Sequence, residues 1–258
     1  MLLPFLTGDA GNPIAEIFAH NMDHPMVHLG PVSITKFTLN MWVAAGILAL
    51  ALAKADKKTM VPKGRLRGLF ESIYFFVRDE IVYPIMGEHH GHSFMPLFLT
   101  LFSFIFVTNL VGMIPLPGIG GAATSTLGLT IPLALTVFVV SIGAGIWYNG
   151  PFGFLKGFLP PGVPFFVLPI LFPIEILGFV IKHGVLAIRL FANMLAGHLV
   201  LGGFLGLIFV FKSYGAVGIA LPLALFISLL ELLVCFLQAY VFTLLATLFI
   251  GGAVHPEH

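Results

Sequence analysis

Residues 165–211 and 216–251 are two apolar stretches that nevertheless contain Glu175, Lys182, Arg189, His198, Glu231 and Gln238. A membrane span needs ~20 residues at ~1.5 Å of rise each, and the first stretch is more than twice that long. Either it hides a turn or it is one long helix lying strongly tilted. No turn signal separates Glu175 from His198, and Lys182-His183 would fall badly in mid-span in a pair of upright helices. The sequence therefore predicts one long tilted helix and a second antiparallel to it, joined near Phe211-Lys212-Ser213-Tyr214. Arg189 lies deep in the first. A guanidinium keeps its charge wherever it sits, and holding it mid-bilayer costs from ~3 to more than ~10 kcal/mol, depending on how water and lipid deform around it. A snorkelling or merely paired arginine is the plain reading. The other ionisable residues in the same two segments favour an ion pathway.

Composition agrees with a membrane setting. Of 258 residues, 59% are hydrophobic and only 9% are Asp, Glu, Lys or Arg, which excludes an ordinary soluble domain. Six of the twelve basic residues fall between Lys54 and Arg67. Cys235 is the single cysteine, so neither an intrachain disulfide nor a cysteine metal site is available. The start, MLLPFLTGDAGNP, lacks the positive region and the apolar length of a signal peptide. The chain carries no P-loop, zincin or serine-hydrolase motif, so no nucleotide, nucleic acid, metal or cofactor is expected, and no hydrolysis by the chain alone.

The predicted fold is an all-α polytopic membrane protein, a single membrane domain over 1–258 with five membrane-crossing helices and an inner-surface amphipathic helix. Residues 1–35 read as an external tail. His20, His24 and His28 are spaced by four, but Pro25 interrupts that helix, so a solvated tail stands ahead of a metal site. Residues 37–53 form the first span. The basic loop after it is inside by the positive-inside rule, which puts the N-terminus outside. Residues 66–83 alternate apolar and charged positions at helical spacing and suit the inner surface, with Pro84 as the stop. GEHHGH at 87–92 reads as an interfacial histidine-rich loop ahead of a metal cluster. Spans at 94–114 and 128–148 follow, separated by the uncharged loop PLPGIGGAATSTLG, and the second ends at a Gly-Pro break. The hairpin of 165–211 and 216–251 completes five crossings and leaves the C-terminus inside.

In a hairpin, residues equally far from the turn lie across from each other. Arg189 with Gln238 and His198 with Glu231 both centre near Tyr214, which sets Arg189 at the level of Gln238 and His198 at the level of Glu231. Glu175, Lys182, Arg189 and Ala196 are seven apart and drift only ~20° per step, so they share one face. Ala192, Ala196 and Gly203 flank it with small residues that let another helix approach closely. His198, nine residues from Arg189, looks the opposite way. These polar groups could be plain interhelical glue. Alternatively, titratable groups on either side of a permanent cation suit a proton relay interrupted by an electrostatic gate.

The runs Arg189-Leu190-Phe191-Ala192-Asn193-Met194, Ala196-Gly197-His198, and Glu231 with Leu237-Gln238-Ala239-Tyr240-Val241-Phe242 resemble the subunit a family of F-type ATP synthases. The resemblance covers the chain in order. It implies that Arg189 faces a rotating ring of small proteolipid subunits with an essential carboxylate, and that Asn193 and Gln238 orient it. It implies that His198 and Glu231 serve a half-channel open to the outside. Glu175, with Lys182, His183 and His255 as accessories, would line one open to the inside. In some members the acid and the histidine of the His198–Glu231 pair are exchanged. Peripheral-stalk subunits, the lipid bilayer and protons are the further partners implied, in a bacterial plasma membrane.

Two other readings stay open at this point. One is a stand-alone secondary transporter with Arg189 binding an anionic substrate, although no internal repeat is visible. The other is a structural scaffold, for which Arg189 is replaceable. The charge pattern also sets a topology: protease added to right-side-out vesicles clips only the N-terminal tail, and cleavage at Lys57–Arg67 overturns it.

Overall fold

The structure is a computed structural model, and it describes residues 25–29, 32–55, 65–114, 122–159, 164, 166–211 and 214–254. Strands β1 (Pro25–Leu29) and β2 (Val32–Thr35) pair antiparallel, with His28 opposite Ser33. His28 is therefore on a strand, so the three-histidine helix face does not form there; His20 and His24 lie outside the described residues. Helix α1 (Lys36–Ala55) follows directly. Helix α2 (Arg65–Phe76) leads through a π-helical turn, Val77–Val82, into α3 (Tyr83–Gly112). A short 3-10 turn, Ala123–Ser125, precedes α4 (Leu127–Lys156). The last helices are α5 (Leu168–Phe211), 44 residues without a break, and α6 (Tyr214–Val254), 41 residues. The connecting Lys212 and Ser213 lie outside the described residues.

Four helices among the described residues are long and apolar enough to cross a membrane: Gly68–Gly112, Leu127–Lys156, Leu168–Phe204 and Ala220–Val254. A shorter apolar helix spans Lys36–Leu50. Helices satisfy their backbone polar groups internally, which the bilayer core demands. Their outer faces carry exposed apolar side chains: Ile131, Leu135 and Val139 on α4, and Leu225, Leu229 and Leu233 on α6. In water such surfaces would drive association; in lipid they are matched to their solvent.

Three expectations are corrected here. Pro84 does not stop a helix, because the π-helical turn lies immediately before it, with the Tyr83 N–H reaching the Arg78 carbonyl five residues back. The wider turn takes the preceding carbonyl out of the path of the pyrrolidine ring. The chain instead kinks at Gly87 (φ 70°, ψ 171°), and GEHHGH becomes the start of the following helical stretch rather than a loop. A second kink with nearly the same geometry occurs at Gly150 (φ 70°, ψ 165°), where Gly-Pro was read as a break, and helix resumes over the residues after it.

The chain forms two compact units. One draws on the chain up to Leu50, on Phe104–Thr126 and on Phe191–Gln238. Its buried side chains include Phe37, Ile105, Met194, Ala224 and Cys235, with an unusual share of polar ones. The other draws on Ala51–Ser103, Leu127–Leu190 and Ala239–His258. It is packed with Val77, Ile81, Phe98, Phe102, Leu186, Leu190, Phe242 and Ile250, all buried. There the ring of Phe76 meets those of Phe102 and Tyr240, each at 5.9 Å. Asn149, just before the second kink, donates its amide to the carbonyls of Ala253 (2.9 Å) and Val254 (3.1 Å), capping the end of α6.

The backbone at Gly150 lies in a region open essentially to glycine alone, where another residue costs ~1–3 kcal/mol. Gly150→Ala is expected to lower the unfolding midpoint of the purified protein in an SDS titration by that order. Gly143→Ala, at a helical site where a Cβ meets nothing within 4 Å, serves as the control and stays near or above the parent.

Candidate functional site

The first unit holds the polar centre. His198 on α5 and Glu231 on α6 are both buried, with Nδ1 and Oε1 3.3 Å apart. The carboxylate lies against α5 because Gly197 has no side chain: a Cβ there would stand 2.9 Å from Glu231 Oε1. On its far side the imidazole Nε2 accepts the main-chain N–H of Ala122 at 3.1 Å. Since Nε2 accepts, this hydrogen bonding assigns the ring proton to Nδ1, the nitrogen facing Glu231. The Nδ1–Oε1 contact has ion-pair length without the alignment of a hydrogen bond, so both carboxylate oxygens stay free to bond elsewhere.

Five residues back along α5, Asn193 Nδ2 donates to Gln238 Oε1 at 2.7 Å. As the α5 number falls from 198 to 193, the α6 number rises from 231 to 238. Within this unit the two helices therefore run antiparallel. Asn193 and Gln238, both expected from sequence to orient Arg189, thus contact each other.

The connector before α4 closes the other side of His198. Ala122, Ala123, Thr124 and Ser125 are all buried. Thr124 Oγ1 donates to Asn109 Oδ1, and Ser125 Oγ to the Ala122 carbonyl at 2.7 Å. Gly112 at the end of α3 makes this approach feasible, since a Cβ there would fall 2.3 Å from Ala122 Cα. Lys36, in the same unit, is buried at the head of α1 with its ammonium 4.9 Å from the Phe37 ring centroid. Ala122, Asn109, Thr124, Gly112 and Lys36 were all missed from sequence. The available signal was the connector itself: a loop with no charge and three adjacent hydroxyl residues can be buried, because those hydroxyls satisfy nearby polar groups.

Among the described residues, both Glu231 oxygens, Thr108 Oγ1, Asn109 Nδ2 and Gln238 Nε2 are buried without a hydrogen-bond partner. Buried polar atoms are nearly always satisfied, and a polar pocket of this kind is where ordered water belongs.

The second unit holds the remaining candidates. Arg189 and Lys182 are exposed on α5, and Glu175 is half-buried. Among the described residues none of the three makes an ion pair or a side-chain hydrogen bond. His183 is buried instead. Its Nδ1 lies 2.9 Å from the Phe179 carbonyl, its Nε2 lies 3.4 Å from Ser141 Oγ, and the rings of Phe138, Phe179 and Phe249 surround it. It is packed away from Lys182. His255 lies outside the described residues. No group of three or more His, Cys, Asp or Glu suited to a metal occurs among the described residues.

The family model for the ATP synthase A chain matches residues 38–251. The chain belongs to this family. It is 43% identical over 230 residues to ATP synthase subunit a of Myxococcus xanthus (strain DK1622), covering 88% of this chain and 75% of the relative. ATP synthase subunit a of Chloroherpeton thalassium (strain ATCC 35110 / GB-78) is 41% identical over 91% of this chain and 71% of its own. That of Acidiphilium cryptum (strain JF-5) is 42% identical, with 87% and 89% covered. Membership and the apolar helices make this a multi-pass membrane protein of the ATP synthase family, a subunit rather than an enzyme by itself. The stand-alone transporter reading lapses.

Leaving a buried polar group without its partner costs ~1–3 kcal/mol, and more when that group is charged. His198→Glu alone is therefore expected to impair proton flux through the membrane sector, and adding Glu231→His to restore a good part of it. A double exchange no better than the worse single change would show that the two side chains do not work as a pair.

Proposed function

We propose that this chain is the stationary proton-translocating subunit of a rotary ATP synthase, with two offset half-channels and Arg189 as the gate between them. The observation that carries the reading is Arg189 itself: a permanent cation on an apolar helix, exposed, with no counter-ion among the described residues. Such a charge in a membrane needs a counter-charge, and none of the described residues supplies it. A carboxylate on each small subunit of a rotating ring supplies it. Ala192 and Ala196, exposed beside Arg189 along the helix, leave room for a ring helix to pass closely.

His198, Glu231, Asn193 and Gln238 then serve the half-channel open to the outside, and the orphaned buried polar atoms around them support a hydrated path. Glu175 and Lys182, with His255, line the path to the inside; His183 supports it by packing. In this reading α1, at 20 residues, is a fifth crossing, α2 lies on the inner surface, and α5 and α6 form the tilted hairpin. The N-terminus is outside and the C-terminus inside, in a bacterial plasma membrane, with peripheral-stalk subunits holding the chain against rotation.

A gate has to stay charged at every working pH. An ammonium sheds its proton in a low-dielectric site, so lysine is a poor substitute. One charge crossing the membrane is worth ~2.3 kcal/mol per 100 mV, which a leak past Arg189 would dissipate. Arg189→Ala is expected to abolish ATP-driven proton pumping in inverted vesicles while allowing passive leak after the catalytic head is stripped. Arg189→Lys also loses coupling. Normal ATP-driven fluorescence quenching by the alanine variant would sink the gate.

A further inference from the structure

We propose that Glu231 is the proton carrier of its half-channel, while His198 is a positioning residue locked in one tautomer by the main-chain N–H of Ala122. The inference rests on the half-channel reading and adds the division of labour within the pair. A histidine that relays protons takes one on one ring nitrogen and releases one from the other. Here Nε2 is occupied by a backbone N–H at 3.1 Å, which holds its hydrogen permanently and has none to give. A proton arriving at Nε2 would have to expel that donor, because in the charged ring both nitrogens are donors. The ring therefore keeps its single proton on Nδ1, aimed at the Glu231 side 3.3 Å away. It acts as a fixed dipole beside the carboxylate.

Glu231 has the opposite endowment. Both oxygens are buried, and neither is consumed by a hydrogen bond among the described residues. One carboxylate oxygen accepts a proton from a protonated water in the path, which is left as neutral water; the oxygen becomes an O–H and passes a proton on to the next acceptor. Besides the pair, the buried charged and titratable groups of this unit, among the described residues, are Lys36 at the head of α1 and Cys235 one turn along α6 from Glu231. Neither displaces Ala122 from Nε2.

The lock depends on close approach. Gly112 has no side chain where a Cβ would stand 2.3 Å from Ala122 Cα and 2.7 Å from its nitrogen, and these are backbone atoms that cannot swing aside. Any larger residue at 112 pushes the buried turn, and with it the Ala122 N–H, off the imidazole. The turn is otherwise held by its own hydroxyls, through Thr124 to Asn109 and Ser125 to the Ala122 carbonyl. Gly112 thus positions Ala122, and Ala122 positions His198.

The direct test is nitrogen NMR of histidine-labelled membrane sector in lipid bilayers, with the His198 signal assigned by its loss in His198→Asn. A neutral ring protonated on Nδ1 is expected; a proton on Nε2, or a charged ring at neutral pH, overturns the proposal. This measurement uses the parent protein and needs no variant to fold beyond the one that assigns the signal. In Gly112→Ala complexes that still retain the proteolipid ring, an Nε2–H signal appears. Its absence from such complexes removes Gly112 from the chain of positioning. Flux through head-stripped vesicles separates the levels of the argument. His198→Ala is expected to lower it at least tenfold, and His198→Asn, whose amide N–H stands near the place of Nδ1–H, to recover at least a third of the parent rate. Equal loss in both variants makes the imidazole a relay and overturns the inference alone. Parent-level flux in Glu231→Gln would instead overturn the half-channel reading beneath it.

Discussion

The bilayer core supplies no water to a polar group, and that constraint shapes both units. Every backbone N–H and C=O placed there needs a protein partner, so the chain answers with helices and with side chains that reach the places where helices stop. The turn at Ala123–Ser125 is the clearest instance. It is irregular backbone buried among helices, and its polar groups are taken up by Ser125, by Asn109 through Thr124, and by the imidazole of His198. The His198 contact is at once a solution to a solvation problem and a piece of the site. In the proposed function, solvation and positioning are met by one hydrogen bond.

The two units use their polar residues differently. In the first, buried polar side chains exceed the partners the described residues provide, and Glu231 and Gln238 are left with unmatched atoms. In the second, buried histidine is fully engaged: His183 sits in a cage of phenyl rings with a contact at each nitrogen. A saturated histidine stiffens a core, whereas an unsaturated carboxylate invites exchange with solvent. Buried polar side chains thus have different work in the two places.

Much of the helical plan was legible because the signals were long. An apolar run from 165 to 211 without a turn signal can be one helix, and α5 is one. The facing of His198 and Glu231 could be read because a hairpin pairs residues by simple symmetry about its turn. Finer features depended on local geometry that the sequence does not display. Pro84 looks like a stop until a π-helical turn makes room for it, and Gly87 looks like part of a loop until its positive φ marks the kink. The Asn193–Gln238 hydrogen bond is a contact between two particular side chains, below the resolution of counting from a hairpin tip. The turn at 122–126 was passed over because a charge-free loop between spans reads as a spacer. The strand pair at 25–35 was lost among polar residues that suggested a tail.

Asn149 reaches over a hundred positions along the chain to hold the last two carbonyls of α6. Each residue inserted or deleted in the final turns of α6 rotates those carbonyls by ~100° about the helix axis and moves them by ~1.5 Å. A single-residue indel there presents the amide with the wrong side of the helix, and even a whole-turn change leaves it several ångströms out of reach. The length of α6 beyond Gln238 is accordingly a counted quantity, set from α4. Point substitutions on its outer face have far more freedom than any change in its number of residues.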